Sequence, residues 1–166
     1  MHQQKKTREV EGIRIVPYES KYAQAFRRLN EEWITAYFEI VEADQRVLNE
    51  PEKNILGVGG HILVAVHDEE VVGVCALIPH DAQTYELAKM AVSPSVQGKG
   101  VGWLLGQAAI EKTRACGMAR MFLESNTSLA PAIRLYRKLG FQETLDEKPH
   151  YERCNISMEM NLSQTS

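Results

Sequence analysis

The chain has 166 residues, 44% hydrophobic and 25% charged, with a formal net charge of −3 and a pI near 6.0. That balance suits one globular domain able to bury a core, and the slight acidic excess argues against a nucleic-acid partner, whose phosphates draw clustered Lys and Arg. No apolar run approaches the ~18 residues that span a bilayer and no apolar stretch follows Lys5-Lys6-Thr7-Arg8, so no membrane partner or signal peptide is expected.

Residues 1–12 read as a polar tail, 13–162 as a single domain and 163–166 as a second tail. Ile13 to Pro17 is expected to form a first strand. Ser20 stands where it can cap a helix whose apolar face is Phe26, Leu29, Trp33 and Tyr37. Asp44 to Leu56 reads as helix interrupted by Pro51, leading into a turn at Gly57-Val58-Gly59-Gly60. His61 to Val66 and Val71 to Ile78 flank Asp68-Glu69-Glu70 in the form of a β-hairpin, and Tyr85 to Val92 is the next strand.

That strand runs into Gln97-Gly98-Lys99-Gly100-Val101-Gly102 and then into a helix with apolar Val101, Leu104, Leu105 and Ala108, stopped by Gly117. Glycines let successive N–H groups converge on an anion, and the helix adds the positive end of its dipole, so the loop is suited to phosphate. It is no dinucleotide fingerprint, because Trp103 holds the sixth place of G-x-G-x-x-G. It is no Walker loop, because Gly100 follows Lys99 where a hydroxyl residue would hold magnesium. Taken alone, such a loop also reads as a tight strand-to-helix turn without a ligand.

Met121 to Asn126 is expected as a strand, Ala132 to Leu139 as a helix ending at Gly140, and Phe141 to Leu145 and Asn155 to Met160 as closing strands. The order places the chain in the α/β class, with one mixed central sheet covered by helices on both faces. Three cysteines, Cys75, Cys116 and Cys154, lack CxxC spacing and read as free thiols of a cytoplasmic protein. His2, His61, His67, His80 and His150 have no paired-ligand spacing, so no metal is expected.

Gln97, Gly100 and Gly102 fit Q-x-x-G-x-G after a strand ending Val-x-Pro, and Ala132-Ile133-Arg134-Leu135-Tyr136-Arg137-Lys138-Leu139-Gly140-Phe141 fits A-x-x-L-Y-x-x-x-G-F. Together, in this order and at this distance, they resemble the acyl-CoA loop and second signature of the GNAT superfamily of N-acetyltransferases, most specifically from Thr84 to Phe141. The resemblance implies a GNAT-like fold and acetyl-CoA as cosubstrate, its acetyl group taken by an amine in a ternary complex. It implies cofactor contacts from Met90, Ala91, Val92, Gln97, Gly98, Lys99, Gly100, Val101, Gly102 and Tyr136, with a backbone N–H near Met90 to Val92 facing the oxyanion. Where many relatives place a cofactor-binding Asn, seven residues before the Tyr, this chain has Leu129, and Asn126 is the substitute candidate.

The resemblance also points to Glu86 as general base, Glu124 as a second candidate and Tyr136 as the acid for the departing thiol. A free Glu with a pKa near 4.3 needs partial burial or a water relay to serve. The alternatives are exposed strand-end carboxylates, and for Tyr136 a buried stripe with Ile133 and Leu139. Acceptor binding would fall to segments holding Trp33, Tyr37, Phe38, His150, Tyr151 and Arg153. Trp33 reads as core, and Arg153 as either a ligand for an acceptor carboxylate or an exposed ion pair. The expected acceptor is a primary amine of a small molecule or amino acid. A protein N-terminal or lysine acetyltransferase and an acyl-CoA-binding regulatory module are the alternatives, and a homodimer is left open.

Overall fold

The computed structural model describes residues 12–162, so Lys5-Lys6-Thr7-Arg8 and the C-terminal tail lie outside the described residues. Seven strands form one sheet in the order β1-β2-β3-β4-β5-β7-β6. They are β1 (Ile13–Pro17), β2 (His61–His67), β3 (Glu70–Asp81), β4 (Thr84–Val92), β5 (Arg120–Ser125), β6 (Gln142–Glu143) and β7 (Ile156–Asn161). Every neighbouring pair is antiparallel except β4 and β5. That parallel pair requires a crossover, which helix α4 (Val101–Ala115) supplies.

Helices α1 (Ala23–Tyr37), α2 (Glu42–Asn49) and α3 (Pro51–Asn54) precede β2, and α5 (Ala130–Leu139) follows β5. The sheet is apolar on both faces. In β2, Ile62, Val64 and Val66 pack with Phe26, Leu29 and Leu48 on one side, while Leu63 and Ala65 pack with Val101 and Leu105 on the other. Alternation with a period of two delivers each set to its own helix layer. Among the described residues, no helix is long and apolar enough to cross a membrane.

Several boundaries differ from the sequence reading. Ser20 lies in a short 3₁₀ turn, Ser20–Tyr22, makes no cap bond, and α1 begins at Ala23. Its buried face is Phe26, Leu29, Asn30 and Ile34, while Trp33 is half-buried and Tyr37 is 56% exposed, because the flank they occupy overhangs a groove instead of the sheet. In α4 the buried stripe runs through Val101, Leu105, Ala109 and Ile110, leaving Leu104 and Ala108 half-buried on its edge. The strand expected over 141–145 shrinks to the two residues of β6, since only Phe141 and Thr144 are buried and Leu145 is 87% exposed. Pro51 does not interrupt one helix but starts another at its first position, where its missing N–H costs nothing.

Two irregularities open the sheet at its centre. Ala88 pairs with Ala76 and Ala91 with Val74, so Lys89 and Met90 together oppose Cys75 in a β-bulge, with Lys89 at φ 53°. The parallel pairing of β4 and β5 covers only Thr84–Glu86 against Arg120–Phe122. Beyond it β4 stays with β3 up to Val92 and β5 stays with β7 up to Ser125. A slot is left between them.

Candidate active site

On one side of the slot lies a groove bounded by the loop after β4, the start of α4 and the start of α5. Gly98 and Gly100 take positive φ, 81° and 88°, and turn the chain into the helix. Leu104 N–H is the first in α4 to reach a carbonyl, that of Gly100 at 3.0 Å. Among the described residues, the amides of Gly98, Gly100, Val101, Gly102 and Trp103 donate to no backbone carbonyl. Free N–H groups at a helix start form a partial positive charge suited to an anion. The residues therefore fit the diphosphate of an acyl-CoA.

Small residues also set where α5 lies. A Cβ on Gly102 would come within 3.1 Å of Leu135 Cδ2, and one on Gly106 within 2.5 Å of Leu139 Cδ1. Two glycines one turn apart thus admit two leucines one turn apart, and the close approach fixes Tyr136 beside Leu135 at the mouth of the slot. Its ring meets Phe141 edge-on at 6.2 Å. Burial pushes the phenol up to about 12, with the neighbouring Cys75 and Cys154 adding to the shift.

A second pocket, beyond the slot, shares Trp33, Met90, Leu129 and Tyr136 with the first and adds Glu86, Glu124, Lys89, Tyr151, Arg153 and Cys154. Glu86 is half-buried. Burial and the nearby Glu124 charge raise its carboxyl to about 7, against the pull of His80, Lys89 and His150. Glu124 accepts hydrogen bonds from the backbone N–H of His150 (2.9 Å) and of Tyr151 (3.2 Å), and faces His150 Nδ1 at 2.5 Å. That bond and the Glu124 charge raise His150. Burial pushes the Cys154 thiol up to about 11.

Two of the pocket's lining residues, Lys89 and Arg153, meet on a buried carboxylate behind it. Asp44 on α2 is fully buried and accepts from Lys89 Nζ at 2.6 Å and from Arg153 Nη1 and Nη2 at 2.8 Å each. Burial opposes its charge, but the bonds from Arg153 and Lys89, with the N–H of Val41, outweigh it and hold its carboxyl well below the usual range. The Tyr151 ring lies under both cations, its centroid 5.0 Å from Lys89 Nζ and 4.6 Å from Arg153 Cζ.

Of the residues singled out from sequence, Met90, Val92, Gln97, Gly98, Gly100, Val101, Gly102 and Tyr136 border the first groove. The Val101 side chain is core, so only its N–H is available there. Ala91 is buried on the α1 face, and Lys99 points to solvent. Asn126 lies in the second pocket, but its amide donates to the Arg153 carbonyl at 2.7 Å and accepts from Ser128 N–H at 2.8 Å, tying down the β6–β7 connection. Arg153 is no exposed ion pair: its side chain is only 16% exposed. Trp33, read as core, lines both pockets. Asp44, Lys89, Cys154 and Gly106 were not anticipated.

Comparisons with known proteins give the family and the fold. Residues 22–141 match the model of the Acetyltransferase (GNAT) family. The uncharacterized N-acetyltransferase YjgM of Escherichia coli (strain K12) is 37% identical over 82 residues, 48% of this chain and 49% of that protein. The first curated relatives are matched over 31% to 66% of their own lengths. A GNAT-family acetyltransferase from Staphylococcus aureus MU50 superposes with a TM-score of 0.82 at 23% identity, over 90% of this chain and 99% of that one. An acetyltransferase from Bacillus subtilis, solved in complex with CoA, gives 0.70 at 22% identity, over 90% and 99%. At such identities the likeness is one of fold.

Proposed function

The chain belongs to the GNAT acetyltransferase family, and from that premise we propose that it is an N-acetyltransferase. It moves the acetyl group of acetyl-CoA onto the primary amine of a small molecule or amino acid, by direct attack with both substrates bound. The observation that carries this reading is the meeting of two grooves at Met90 and Tyr136. One groove has free amides for an anion. The other holds a carboxyl of raised pKa.

Acetyl-CoA would bring an acyl carbon already activated as a thioester. The N–H groups of Gly98, Gly100, Val101, Gly102 and Trp103 hold its diphosphate. The edge of β4 that β5 leaves unpaired offers backbone groups to its extended arm, and an N–H between Met90 and Val92 faces the charge that develops on the carbonyl oxygen.

A primary amine with the pKa of a lysine, ~10.4, is almost wholly protonated at neutral pH. Glu86, raised to about 7, is ionised often enough at that pH to act, and is a far stronger base than an exposed carboxylate. Glu124 commits its oxygens to three N–H groups and positions His150 and Tyr151. Tyr136 gives its proton to the departing sulfur. At about 12 it keeps that proton until a thiolate forms. Three unpaired cysteines agree with the reducing cytoplasm as its location.

The test is thiol release from acetyl-CoA across a panel of amines and amino acids, with the acetylated product identified by mass. Transfer to peptide N-termini or lysines alone would hand the reading to a protein acetyltransferase. CoA binding with no transfer to anything would leave a binding module.

A further inference from the structure

On the acceptor side of the cleft two cations share a single bonded carboxylate. Lys89 and Arg153 have side-chain exposures of 6% and 16%, and the buried Asp44 is the one carboxylate bonded to either among the described residues. Asp44 stays anionic at neutral pH, so the cluster keeps one cation in surplus. The carboxyls lining the pocket, Glu86 and Glu124, bond to neither cation. Glu124 is held by His150 and Tyr151, and Glu86 is only partly ionised at neutral pH.

Donors are also left over. The Lys89 ammonium has three N–H bonds, of which one goes to Asp44 and another reaches Tyr151 Oη at 3.4 Å. The Arg153 guanidinium has five, of which two go to Asp44. A desolvated cation without a counter-charge is costly, and a bound anion offsets that cost. A planar fork beside an ammonium suits the two oxygens of a carboxylate. Both cations line the same pocket as Glu86, and Lys89 stands three residues further along β4.

We propose that the acceptor is an amine that also bears a carboxylate, as an amino acid does, held by Lys89 and Arg153 while its amine faces Glu86. Asp44 orients both cations and leaves them the charge to spare. The assignment rests on the acetyltransferase reading and narrows it, since neither a polyamine nor a peptide N-terminus carries a carboxylate next to its reacting nitrogen.

Matched acceptors test it. Acetyl transfer by the full chain is measured at saturating acetyl-CoA for amino acids, their carboxamides and the corresponding decarboxylated amines. The expected result is a kcat/KM at least tenfold higher for the acids, with most of the difference in the acceptor KM. Arg153→Gln should collapse that preference toward unity, and Arg153→Lys should restore part of it. Should Arg153→Gln fail to fold, Lys89→Asn serves, because Asn tolerates the left-handed backbone at that position. Equal rates for acid and amide, or an intact preference in a folded Arg153→Gln variant, would overturn the carboxylate assignment and leave acetyl transfer standing. No transfer to any acceptor would overturn both.

Discussion

The two sides of the cleft are made from different materials. The side proposed for the coenzyme is built of backbone: free amides, positive-φ glycines and glycines that admit leucines, most of it within the turn from β4 into α4. The side proposed for the acceptor is built of charged side chains that meet across 45 and 109 residues of chain, Lys89 and Arg153 on Asp44. A backbone site tolerates change in most of its side chains, whereas a charge cluster fails when one member is lost. Coenzyme recognition and acceptor recognition should therefore respond to mutation independently.

The strongest challenge to that independence is Asp44→Asn. The substitution takes from two largely buried cations the one carboxylate bonded to them, and breaking a buried pair in this way costs about 3–5 kcal/mol. For a chain of this size the melting temperature should fall by roughly 10 °C. CoA affinity, measured by calorimetry on the folded variant, should hold, and a parallel loss would show that the two sides are one unit. The acid limb sharpens the point. Because the folded pKa of Asp44 is depressed, its contribution is present above the ordinary carboxylate value of ~3.9 and is lost as pH falls toward the lower folded value. The variant should lack that part of the slope in acid denaturation.

Where the sides meet, substitutions should act on rate. Tyr136→Phe is expected to lower kcat about 100-fold, the usual scale for a positioned acid or base, with little change in CoA binding. For Glu86 the sign follows from the role proposed for it: a base acts when deprotonated, so kcat/KM should rise with pH through about 7 and level off above it. Glu86→Gln should abolish that limb and lower the plateau by a comparable factor. A profile unchanged by Glu86→Gln would move the base elsewhere.

The same contrast explains how much could be read in advance. The loop, the α4 stop at Gly117 and the position of Tyr136 are local patterns, and a local pattern survives in one dimension. The bulge was legible in principle, because the apolar alternation of Tyr85 and Leu87 slips by one to Met90 and Val92, with Lys89 at the break. Asp44 could not be found that way: nothing near it announces a partner 109 residues off. Gly106 was missed for a similar reason, since its need is set by Leu139 on another helix. The expected closing strand failed because Leu145, apolar in sequence, has no surface to pack on.

The smallest effect isolates the backbone itself. Gly98 has φ 81° and nothing within 4 Å of where a Cβ would stand, so Gly98→Ala adds no clash and only left-handed strain, about 1–2 kcal/mol. An exposed loop can relax when empty, and then the strain is met only on binding. CoA affinity should fall about tenfold while the melting temperature barely moves. Gly117 is the control. It too has a positive φ, 77°, and open space at its Cβ, but it follows the far end of α4. Gly117→Ala should lower stability by about 1 kcal/mol, since the helix stop cannot relax without losing its closing bonds, and should leave CoA affinity untouched. If both alanines weakened CoA binding equally, the amides of the loop would not be what holds the coenzyme.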